Sequence, residues 1–362
     1  MYTKVPQLEK GYADWKDALC DIWRSHSCFQ SPLYVVSEGS MKRLKLGPFA
    51  SENWIWVDSS ERDMRKVSKF YLKRTLDLDF DTVIAIGGGF TLDVAKLILA
   101  SKCFDTCSAE VIKDREDIIY RYCPSIFIPT TCGSGSEATP YATVWDLHNK
   151  RKFSIRSEDL VPNYAILDSH LLLSMPQQVA HSSMMDAIAH CIDSFLSVKR
   201  TEQSQLFARE ALSAIVPKLN ANDHTYRDVL DLMVGAYYAG RAIAISETSL
   251  CHALSYPLTL HYGIPHGIAC GMMLATAIDC HAALDKYLER IVSRGELSSR
   301  ILLHFEVMLK KWNAFLRDEN PDINFLANCA SNERMSNYSY IDPRNESEVF
   351  EAAKDFYKRV LR

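Results

Sequence analysis

The feature that most constrains the fold is an alternation of short β-branched runs with longer amphipathic runs in the first half of the chain. The strand-like runs are PLYVVSEG, ENWIWVDSS, DTVIAIGGG and SIFIPTT. The helix-like runs are ERDMRKVSKFYLKRTL and TLDVAKLILASK. Strands that alternate with helices predict a parallel sheet covered by helices on its faces.

The second half of the chain has a different pattern. After residue 172 the β signals fade, and 3.6-residue periodicity takes over at 177–197, 203–218, 226–246 and 267–292. The length of 362 residues also exceeds what one core usually organises. We predict an α/β domain over residues 1–172 and an all-helical domain over residues 173–362.

Three further segments are less regular. The first thirty residues look helical, and 318–347 is predicted to be a surface loop because it is rich in Asn, Asp, Ser and Pro. The last stretch, SEVFEAAKDFYKRVLR, is predicted to be a helix with Ser347 as its N-cap.

Charge and composition narrow the classes of function. A net charge of -4 and a pI near 6.3 give no basic stripe for a phosphate backbone, so nucleic-acid binding is not expected. No run approaches the ~18–20 uninterrupted apolar residues of a membrane span, and the start has no apolar signal core. The eleven cysteines have no pairing rhythm and are expected to be reduced thiols. We expect a cytoplasmic enzyme.

A glycine triplet follows the strand 82–86. Gly87, Gly88 and Gly89 precede Phe90 and a helix that contains Asp93 and Lys96. A strand, a glycine turn and a helix N-terminus can cradle an anion, because backbone N–H groups are accessible where Cβ atoms are absent. The spacing is not GxGxxG, and a structural tight turn is the alternative.

A second polar loop, PTTCGSGSEATP, follows the strand SIFI. It offers the hydroxyl groups of Thr130, Thr131, Ser134 and Ser136. Ligands of open parallel sheets bind at the carboxyl ends of strands, so two such loops favour a dinucleotide site. Ordinary turn chemistry is the alternative.

A candidate metal site lies in the helical half. Asp186 and His190 are spaced i and i+4, so an oxygen and an imidazole can bind one ion. His252 precedes Pro257, which is predicted to stop a helix, and His266 begins a new segment. Three imidazoles and a carboxylate suit Fe²⁺ or Zn²⁺ and leave a position for substrate. The alternative is a set of core or helix-capping histidines.

Four motifs resemble those of the iron-containing, group III alcohol dehydrogenases, which are related to glycerol dehydrogenase and dehydroquinate synthase. GGGFTLDVAK is similar to GGGSxxDxAK, and PTTCGSGSEATP is similar to PTTAGTGSEVT. ILDSHLLLSMPQQVAHSSMMDAIAHCIDSFLS resembles the segment that ends in DAxxHxxE. HALSYPLTLHYGIPHG resembles HAxxHxLGxxxxxPHG, with the same fourteen-residue interval between the two outer histidines.

The resemblance implies a Rossmann-like N-terminal domain, a helical C-terminal domain, and a cleft where cofactor and metal meet. It implies one divalent ion, with Fe²⁺ favoured and Zn²⁺ the alternative, and a homodimer or larger assembly. The implied ligands are Asp186, His190, His252 and His266. The implied cofactor residues are Gly87, Gly88, Gly89, Phe90, Asp93, Thr130, Thr131, Ser134 and Lys152, with Asp93 and Lys96 bracing the glycine loop.

Three positions refine this expectation. Glu38 aligns with a family position where an acidic residue favours NAD(H) over NADP(H), because a carboxylate accepts ribose hydroxyls and repels a 2′-phosphate. Tyr256 stands where the family usually has a second histidine near the nicotinamide, so it is the candidate proton relay. Phe90 replaces a common serine, which removes one phosphate hydrogen bond.

The predicted function is a metal-dependent, NAD(P)H-linked alcohol dehydrogenase or aldehyde reductase acting on a small aldehyde. TPYATVWDLHNKRKFSI and HALSYPLTLHYGIPHG are similar to the subgroup that reduces phosphonoacetaldehyde to 2-hydroxyethylphosphonate. Within the same fold, the alternatives are a glycerol dehydrogenase and a sugar-phosphate cyclase. Outside it, they are a metal-dependent hydrolase and a catalytically silent binding protein.

Overall fold

A computed structural model describes residues 6–10, 14–25, 29–44, 53–113, 123–219, 225–330 and 333–361. The chain divides into two compact units, Met1–Met175 and Pro176–Arg362. We call them the sheet unit and the helical unit. The division falls close to residue 172, after which the β signals of the sequence fade.

The sheet unit contains a six-stranded parallel sheet and a separate hairpin. The sheet has the order β1-β8-β5-β4-β2-β3, and the hairpin pairs β6 with β7 in antiparallel fashion. The strands are β1 (Gln7–Lys10), β2 (Pro32–Ser37), β3 (Trp54–Val57), β4 (Thr82–Gly87), β5 (Ser125–Pro129), β6 (Tyr141–Asp146), β7 (Arg151–Arg156) and β8 (Tyr164–Leu167).

The helices of the sheet unit pack around this sheet. They are α1 (Trp15–Ser25), α2 (Glu38–Leu44), α3 (Met64–Val67), α4 (Lys73–Leu76), α5 (Gly89–Phe104), α6 (Ala109–Lys113) and α7 (His170–Leu173). A π-helical segment, Ser68–Leu72, joins α3 to α4. Every residue of β4 and β5 is buried, as expected for central strands of a parallel sheet covered on both faces. The predicted α/β architecture is confirmed.

The helical unit consists of packed helices in the residues that the structure describes. They are α8 (Gln177–Leu196), α9 (Glu202–Ile215), α10 (Tyr226–Ser246), α11 (Leu250–Tyr262), α12 (His266–Cys280), α13 (Asp285–Leu288), α14 (Arg294–His304), α15 (Glu306–Glu319), α16 (Ile323–Ala330), α17 (Glu333–Ser336) and α18 (Glu346–Val360). The prediction of a helical second half is confirmed.

One helix is long and apolar enough to cross a membrane by length and composition alone. It is the Arg227–Ser246 part of α10, and 72% of that stretch is buried within the protein. A pair of helices bent by 90°, His266–Cys280 with Ala282–Leu288, passes the same test when taken together. Buried core helices have this composition as well, so it is weak evidence for a membrane span.

Two local predictions fail because tertiary packing overrides local signals. The N-terminal segment contains the strand β1 before its helix, and β1 pairs with β8, more than 150 residues away. Pro257 does not stop a helix but lies inside α11, which continues to Tyr262. A proline costs a backbone hydrogen bond in a helix, and the burial of α11 around Pro257 offsets that cost.

Three helix boundaries also differ from the predictions. The segment 267–292 is not one helix, because His281 leaves helical geometry with φ -119° and ψ 84°. The region 318–347 contains α16 and α17 rather than a continuous loop. The terminal helix is capped by Asn345, whose side chain accepts a hydrogen bond from Glu348 N, and not by Ser347.

Candidate functional site

Helix α8 carries three acidic or imidazole side chains along one face. Asp186, His190 and Asp193 are spaced i, i+4 and i+7, which brings them to the same side of a helix. His190 and Asp193 are buried, and the side chain of Asp186 is 13% exposed. Polar side chains at such depth need partners from neighbouring elements.

Helix α12 packs closely against α8. A Cβ atom at Gly267 would overlap the carbonyl oxygen of Ser182, and one at Gly271 would lie 2.8 Å from Met185 Cγ. Glycine is therefore required at Gly267 for the two backbones to approach this closely. Because His266 is the first residue of α12, this packing brings its imidazole to Asp186.

Three imidazoles converge on one carboxylate oxygen. Asp186 Oδ1 lies 3.9 Å from His190 Nε2, 3.4 Å from His252 Nε2 and 3.8 Å from His266 Nε2. Ligand atoms bound to one tetrahedral ion at about 2.0–2.2 Å lie about 3.3–3.6 Å apart. Asp186 Oδ1 and His252 Nε2 are buried and make no hydrogen bond, and a cation between them would satisfy both atoms. The four predicted ligands therefore fit a metal ion.

Asp193 orients the central histidine. Its carboxylate accepts a hydrogen bond from His252 Nδ1 at 2.8 Å, and it also accepts from the backbone N–H groups of Ser249 and Cys251 at the start of α11. A carboxylate can only accept here, so Nδ1 carries a hydrogen and Nε2 is the ring atom directed toward Asp186. One carboxylate thus caps α11 and sets the tautomer of His252.

The electrostatics of this cluster favour positive charge. Burial alone would raise the pKa of Asp186, but the three imidazoles hold it well below its ordinary value. Burial alone would lower the pKa of His252, but Cys270, Asp186 and Asp193 raise it well above its ordinary value. The cluster therefore stabilises a cation at Nε2, either a proton or a metal ion.

Tyr256 lies beside the cluster. Its ring stacks on the His266 imidazole, with centroids 5.6 Å apart and planes at 15°, and it is one helical turn beyond His252 on α11. The side chain of His266 is 23% exposed, whereas that of His252 is 3% exposed. His266 is therefore the more accessible of these two imidazoles, and the buried ring of Tyr256 packs against it.

In the sheet unit, the two polar loops meet at the carboxyl ends of β4 and β5. Thr130 N donates to Gly87 O at 2.9 Å. A Cβ atom at Gly88 would lie 3.1 Å from Thr131 Cγ2, and one at Gly89 would lie 2.7 Å from Ser134 Cβ. The glycines are therefore needed for close packing of the two loops, at the N-terminus of α5.

The neighbouring strand β2 brings Glu38 to the same edge of the sheet. Glu38 is the first residue of α2, directly after β2, and its Oε2 atom lies 3.5 Å from Lys42 Nζ. Ser40, in the same helix, lies 2.8 Å from Thr130 through their hydroxyl groups. Strands β2, β4 and β5 are adjacent in the sheet, so these residues share one strand-end region.

Asp93 and Lys96 brace the second polar loop rather than the glycine loop. Lys96 Nζ donates to the carbonyl oxygens of Ser136, Thr139 and Tyr141 at 2.7–2.8 Å. Asp93 accepts from Ser136 Oγ at 2.7 Å. The expectation for these two residues was therefore wrong as to the loop that they hold.

The side chains of two further predicted cofactor residues, Phe90 and Lys152, have other partners in the sheet unit. The Phe90 side chain packs against the hydrophobic core, so an anion at the turn would meet its backbone amide. Lys152 lies on β7, where its ammonium group donates to Ser154 Oγ at 2.8 Å. Burial raises the pKa of Asp93, and the charges of Lys96 and Lys152 oppose that rise.

Sequence reasoning missed two buried acids. Asp193 occupies the last position of the DAxxHxxE pattern, and its i+7 spacing from Asp186 was a usable signal. Glu137 is buried in the second polar loop, where burial raises its pKa to about 7 against the opposing charge of Lys96. Glu137 falls on the glutamate of the PTTAGTGSEVT pattern, so the motif also marked this position, although glutamate in a loop is usually exposed.

Two family models match the chain. Residues 57–169 match the model described as iron-containing alcohol dehydrogenase, and residues 180–297 match the C-terminal model of the Fe-containing alcohol dehydrogenase family. The chain belongs to the iron-containing alcohol dehydrogenase family. The resemblance inferred from the four motifs is thereby confirmed.

Among curated relatives of this family, the chain is 34% identical over 209 residues to phosphonoacetaldehyde reductase of Streptomyces viridochromogenes, a match that covers 54% of this chain and 51% of that protein. It is 29% identical over 203 residues to 4-hydroxybutyrate dehydrogenase of Clostridium kluyveri, covering 53% of each. The chain thus spans about half the length of the curated relatives it matches.

Solved structures of the family share the fold over nearly the whole chain. Sulfoacetaldehyde reductase from Bifidobacterium kashiwanohense, solved in complex with NAD⁺, is 21% identical with a TM-score of 0.84, covering 100% of this chain and 98% of that one. An iron-containing alcohol dehydrogenase from Thermotoga maritima is 24% identical with a TM-score of 0.79, covering 100% and 99%. These likenesses establish the fold.

Proposed function

We propose that this protein is a metal-dependent, NAD(H)-linked aldehyde reductase and alcohol dehydrogenase. The observation that carries the proposal is the convergence of three imidazole nitrogens on Asp186 Oδ1 at 3.4–3.9 Å, with two buried donor atoms that make no hydrogen bond. Such a donor set needs a cation, and it belongs to a family of oxidoreductases.

Asp186, His190, His252 and His266 are the residues that would hold the ion. When bound, a divalent ion supplies Lewis-acid chemistry toward a carbonyl or alcohol oxygen, and the nicotinamide supplies or accepts the hydride. Asp193 keeps the His252 ring in place, so the donor atoms need little rearrangement to bind.

The cofactor role rests on the strand-end loops of the sheet unit. The N-terminus of α5 and the glycines before it can receive the diphosphate, because that helix end carries unpaired N–H groups and partial positive charge. Thr130, Thr131 and Ser134 add hydroxyl donors to the same region. Glu38 at the end of β2 supports a preference for NAD(H), because its charge would repel a 2′-phosphate.

Tyr256 is proposed to pass the proton that accompanies hydride transfer. It is supported by the stacking of its ring on His266, which is more accessible than His252. Tyr256→Phe keeps the ring and removes the hydroxyl group, so we expect a fall in kcat of about 10²–10⁴-fold with metal content unchanged. An unchanged kcat across the pH range would remove Tyr256 from this role.

The proposed substrate is a short aldehyde with an anionic group. A phosphonoacetaldehyde reductase and a sulfoacetaldehyde reductase are both among the similar proteins, and both names denote an acetaldehyde with an acidic substituent. The phosphonate is the substrate that we favour, since that relative is the more similar in sequence. The physiological compartment is proposed to be the cytoplasm, since Cys132, Cys191 and Cys251 are buried free thiols.

The experiment measures oxidation of NADH and NADPH with phosphonoacetaldehyde, sulfoacetaldehyde and acetaldehyde. The protein is stripped of metal and then reloaded with Fe²⁺ or Zn²⁺. We expect metal-dependent turnover, a higher kcat/KM with NADH than with NADPH, and a higher kcat/KM for the anionic aldehydes. Asp186→Asn should abolish metal retention and turnover, while Asp318→Asn, an exposed acid on α15, should change neither.

The other outcomes separate the alternatives. Turnover of a polyol, or of a sugar phosphate to a cyclic product, would assign the chain to glycerol dehydrogenase or cyclase chemistry. Hydrolysis without nicotinamide would indicate a metal-dependent hydrolase. Bound metal and nucleotide without turnover of any substrate would indicate a silent protein on this scaffold.

A further inference from the structure

A fifth donor side chain lies beside the four predicted ligands. Cys270 follows His266 by one helical turn on α12 and is buried. Its Sγ atom lies 3.9 Å from His266 Nε2. Among the residues that the structure describes, donor atoms of Asp186, His252, His266 and Cys270 all lie within 4.8 Å of one another. The sulfur therefore belongs to the same cluster of donor atoms.

The distances suit coordination of one ion by sulfur and nitrogen. A sulfur bound at about 2.3 Å and an imidazole nitrogen bound at about 2.0–2.1 Å of a tetrahedral ion lie about 3.6 Å apart. The 3.9 Å between Cys270 Sγ and His266 Nε2 is within a few tenths of an ångström of this spacing. The two donor atoms can therefore reach one ion through a small side-chain adjustment.

The cluster supplies an independent reason to expect a ligand beside this sulfur. His252 Nε2 is buried, with its side chain only 3% exposed, and it makes no hydrogen bond. Asp186 Oδ1, 3.4 Å away, makes none either. Asp193 fixes the His252 ring from the opposite nitrogen, so Nε2 is directed toward Asp186. A cation is the group that satisfies these atoms and a thiolate together.

We propose that Cys270 supplies a thiolate ligand to an ion that it would share with Asp186, His252 and His266. On binding, the S–H proton passes to solvent as the sulfur–metal bond forms. A thiolate is a soft ligand, so the site prefers Zn²⁺ or Co²⁺ over Fe²⁺. This metal preference is the reverse of the preference for Fe²⁺ expected from the family resemblance. The proposal of Cys270 as a ligand rests on the proposed function only in requiring that an ion binds.

Cobalt provides a direct readout of sulfur ligation. Metal-free protein is loaded with Co²⁺ under anaerobic conditions, bound cobalt per chain is measured, and the absorption spectrum is recorded. We expect a thiolate-to-cobalt charge-transfer band in the near ultraviolet. Cys270→Ala should lose this band and still bind cobalt. Cys191→Ala, an equally buried cysteine on α8 outside the donor set, should retain the band.

Metal competition tests the preference. Metal-free protein is equilibrated anaerobically with equal concentrations of Zn²⁺ and Fe²⁺, and both bound metals are quantified. We expect Cys270→Ala to lower the ratio of bound zinc to bound iron by at least about tenfold, since loss of even an outer partner of a ligand costs about 10–100-fold in affinity. Cys191→Ala should leave the ratio unchanged.

The outcomes distinguish this proposal from the proposed function. Stoichiometric cobalt without a charge-transfer band in the unmodified protein would overturn sulfur ligation and leave the metal-dependent reductase intact. A band that persists in Cys270→Ala would also overturn it. Failure to bind any cobalt, zinc or iron would overturn both proposals.

Discussion

The sheet unit and the helical unit build their candidate sites from different materials. In the sheet unit, the loops 87–89 and 130–134 offer backbone amides and short hydroxyl groups. The glycines allow the two loops to pack closely because they have no Cβ atom. In the helical unit, the candidate donors are side chains from α8, α11 and α12, up to 80 residues apart. The first site depends on the shape of the backbone, and the second depends on helix packing.

The difference predicts two kinds of sensitivity to mutation. Adding a single carbon should weaken packing wherever two backbone segments touch, both in the loops of the sheet unit and where α12 meets α8. Exchanging one polar atom for another should damage the metal cluster, where each oxygen or nitrogen has an assigned partner. The predictions below test this contrast, from the largest expected effect to the smallest.

Asp193→Asn changes one oxygen to an amide with almost no change in volume. The amide cannot accept hydrogen bonds on both sides as the carboxylate does from His252, Ser249 and Cys251. We expect metal affinity to fall by about 10–100-fold, because an outer partner of a ligand is lost. Competition with a chromophoric chelator measures this, and Asp279→Asn, an exposed acid on α12, is the matched control. An unchanged affinity would show that the contacts of Asp193 do not support metal binding.

Gly267→Ala adds a carbon where α12 touches α8. The new Cβ would overlap Ser182 O, so the helices must separate, at a cost of about 1–3 kcal/mol in the free energy of unfolding. Gly295→Ala is the control, because nothing lies within 4 Å of a Cβ atom there, and it should be neutral or stabilising by up to about 1 kcal/mol. Chemical denaturation compares the two. Equal stabilities would mean that the packing of α8 and α12 tolerates the extra atom.

Gly89→Ala makes the corresponding change in the sheet unit. Its Cβ would lie 2.7 Å from Ser134 Cβ, so the two loops must move apart. We expect NADH affinity to fall by about tenfold, equivalent to about 1.4 kcal/mol. Ser134→Gly in the same chain removes the obstructing atoms and should restore part of the loss. If NADH titration showed no loss in the single variant, the loop contact would not shape the nucleotide site.

Glu137→Gln tests whether the buried carboxyl group of Glu137, in the second polar loop, affects the stability of the fold. Burial raises the pKa of Glu137 from 4.5 to about 7, so the unfolded state releases its proton first as pH rises. The stability associated with this group is therefore present below pH 4.5 and is lost between pH 4.5 and about 7. Glu137→Gln should flatten this decline in the free energy of unfolding.

The glutamine variant also removes one of the two buried carboxylates that face Lys96, the other being Asp93, so above about pH 7 it should be less stable than the unmodified protein. Glu110→Gln, an exposed glutamate in the same unit, should leave both the slope and the stability unchanged. Denaturation curves across this pH range provide the comparison. The same slope in Glu137→Gln as in the unmodified protein would contradict the assignment.

The sequence predicted those parts of the molecule that depend on local patterns. The central strands β2, β4 and β5 and the helices α8 to α10 have strong periodicity, so their positions follow from residue type alone. The strand β1 has four residues, QLEK, and gains its structure from pairing with β8. Such a pairing between distant segments leaves no local pattern to detect.

The candidate site was predicted only where its residues follow a local sequence motif. The metal donors were found because their spacing within two segments follows a motif, and the structure brings all four together with Tyr256. Cys270 was missed because its relation to the cluster depends on how α12 packs against α8 and α11. The role of Lys96 was assigned to the wrong loop, since its four acceptor atoms belong to residues 136–141.

The carboxylate of Asp193 links the folding of the helical unit to the position of a metal donor atom, His252 Nε2. Since Asp193 binds the backbone at the start of α11 as well as the His252 ring, the histidine is held in place by contacts that form during folding. The position of the His252 ring is therefore supported by contacts within the protein. An enzyme built in this way can lose its ion to a chelator and recover it by simple addition of metal, without a cycle of unfolding and refolding.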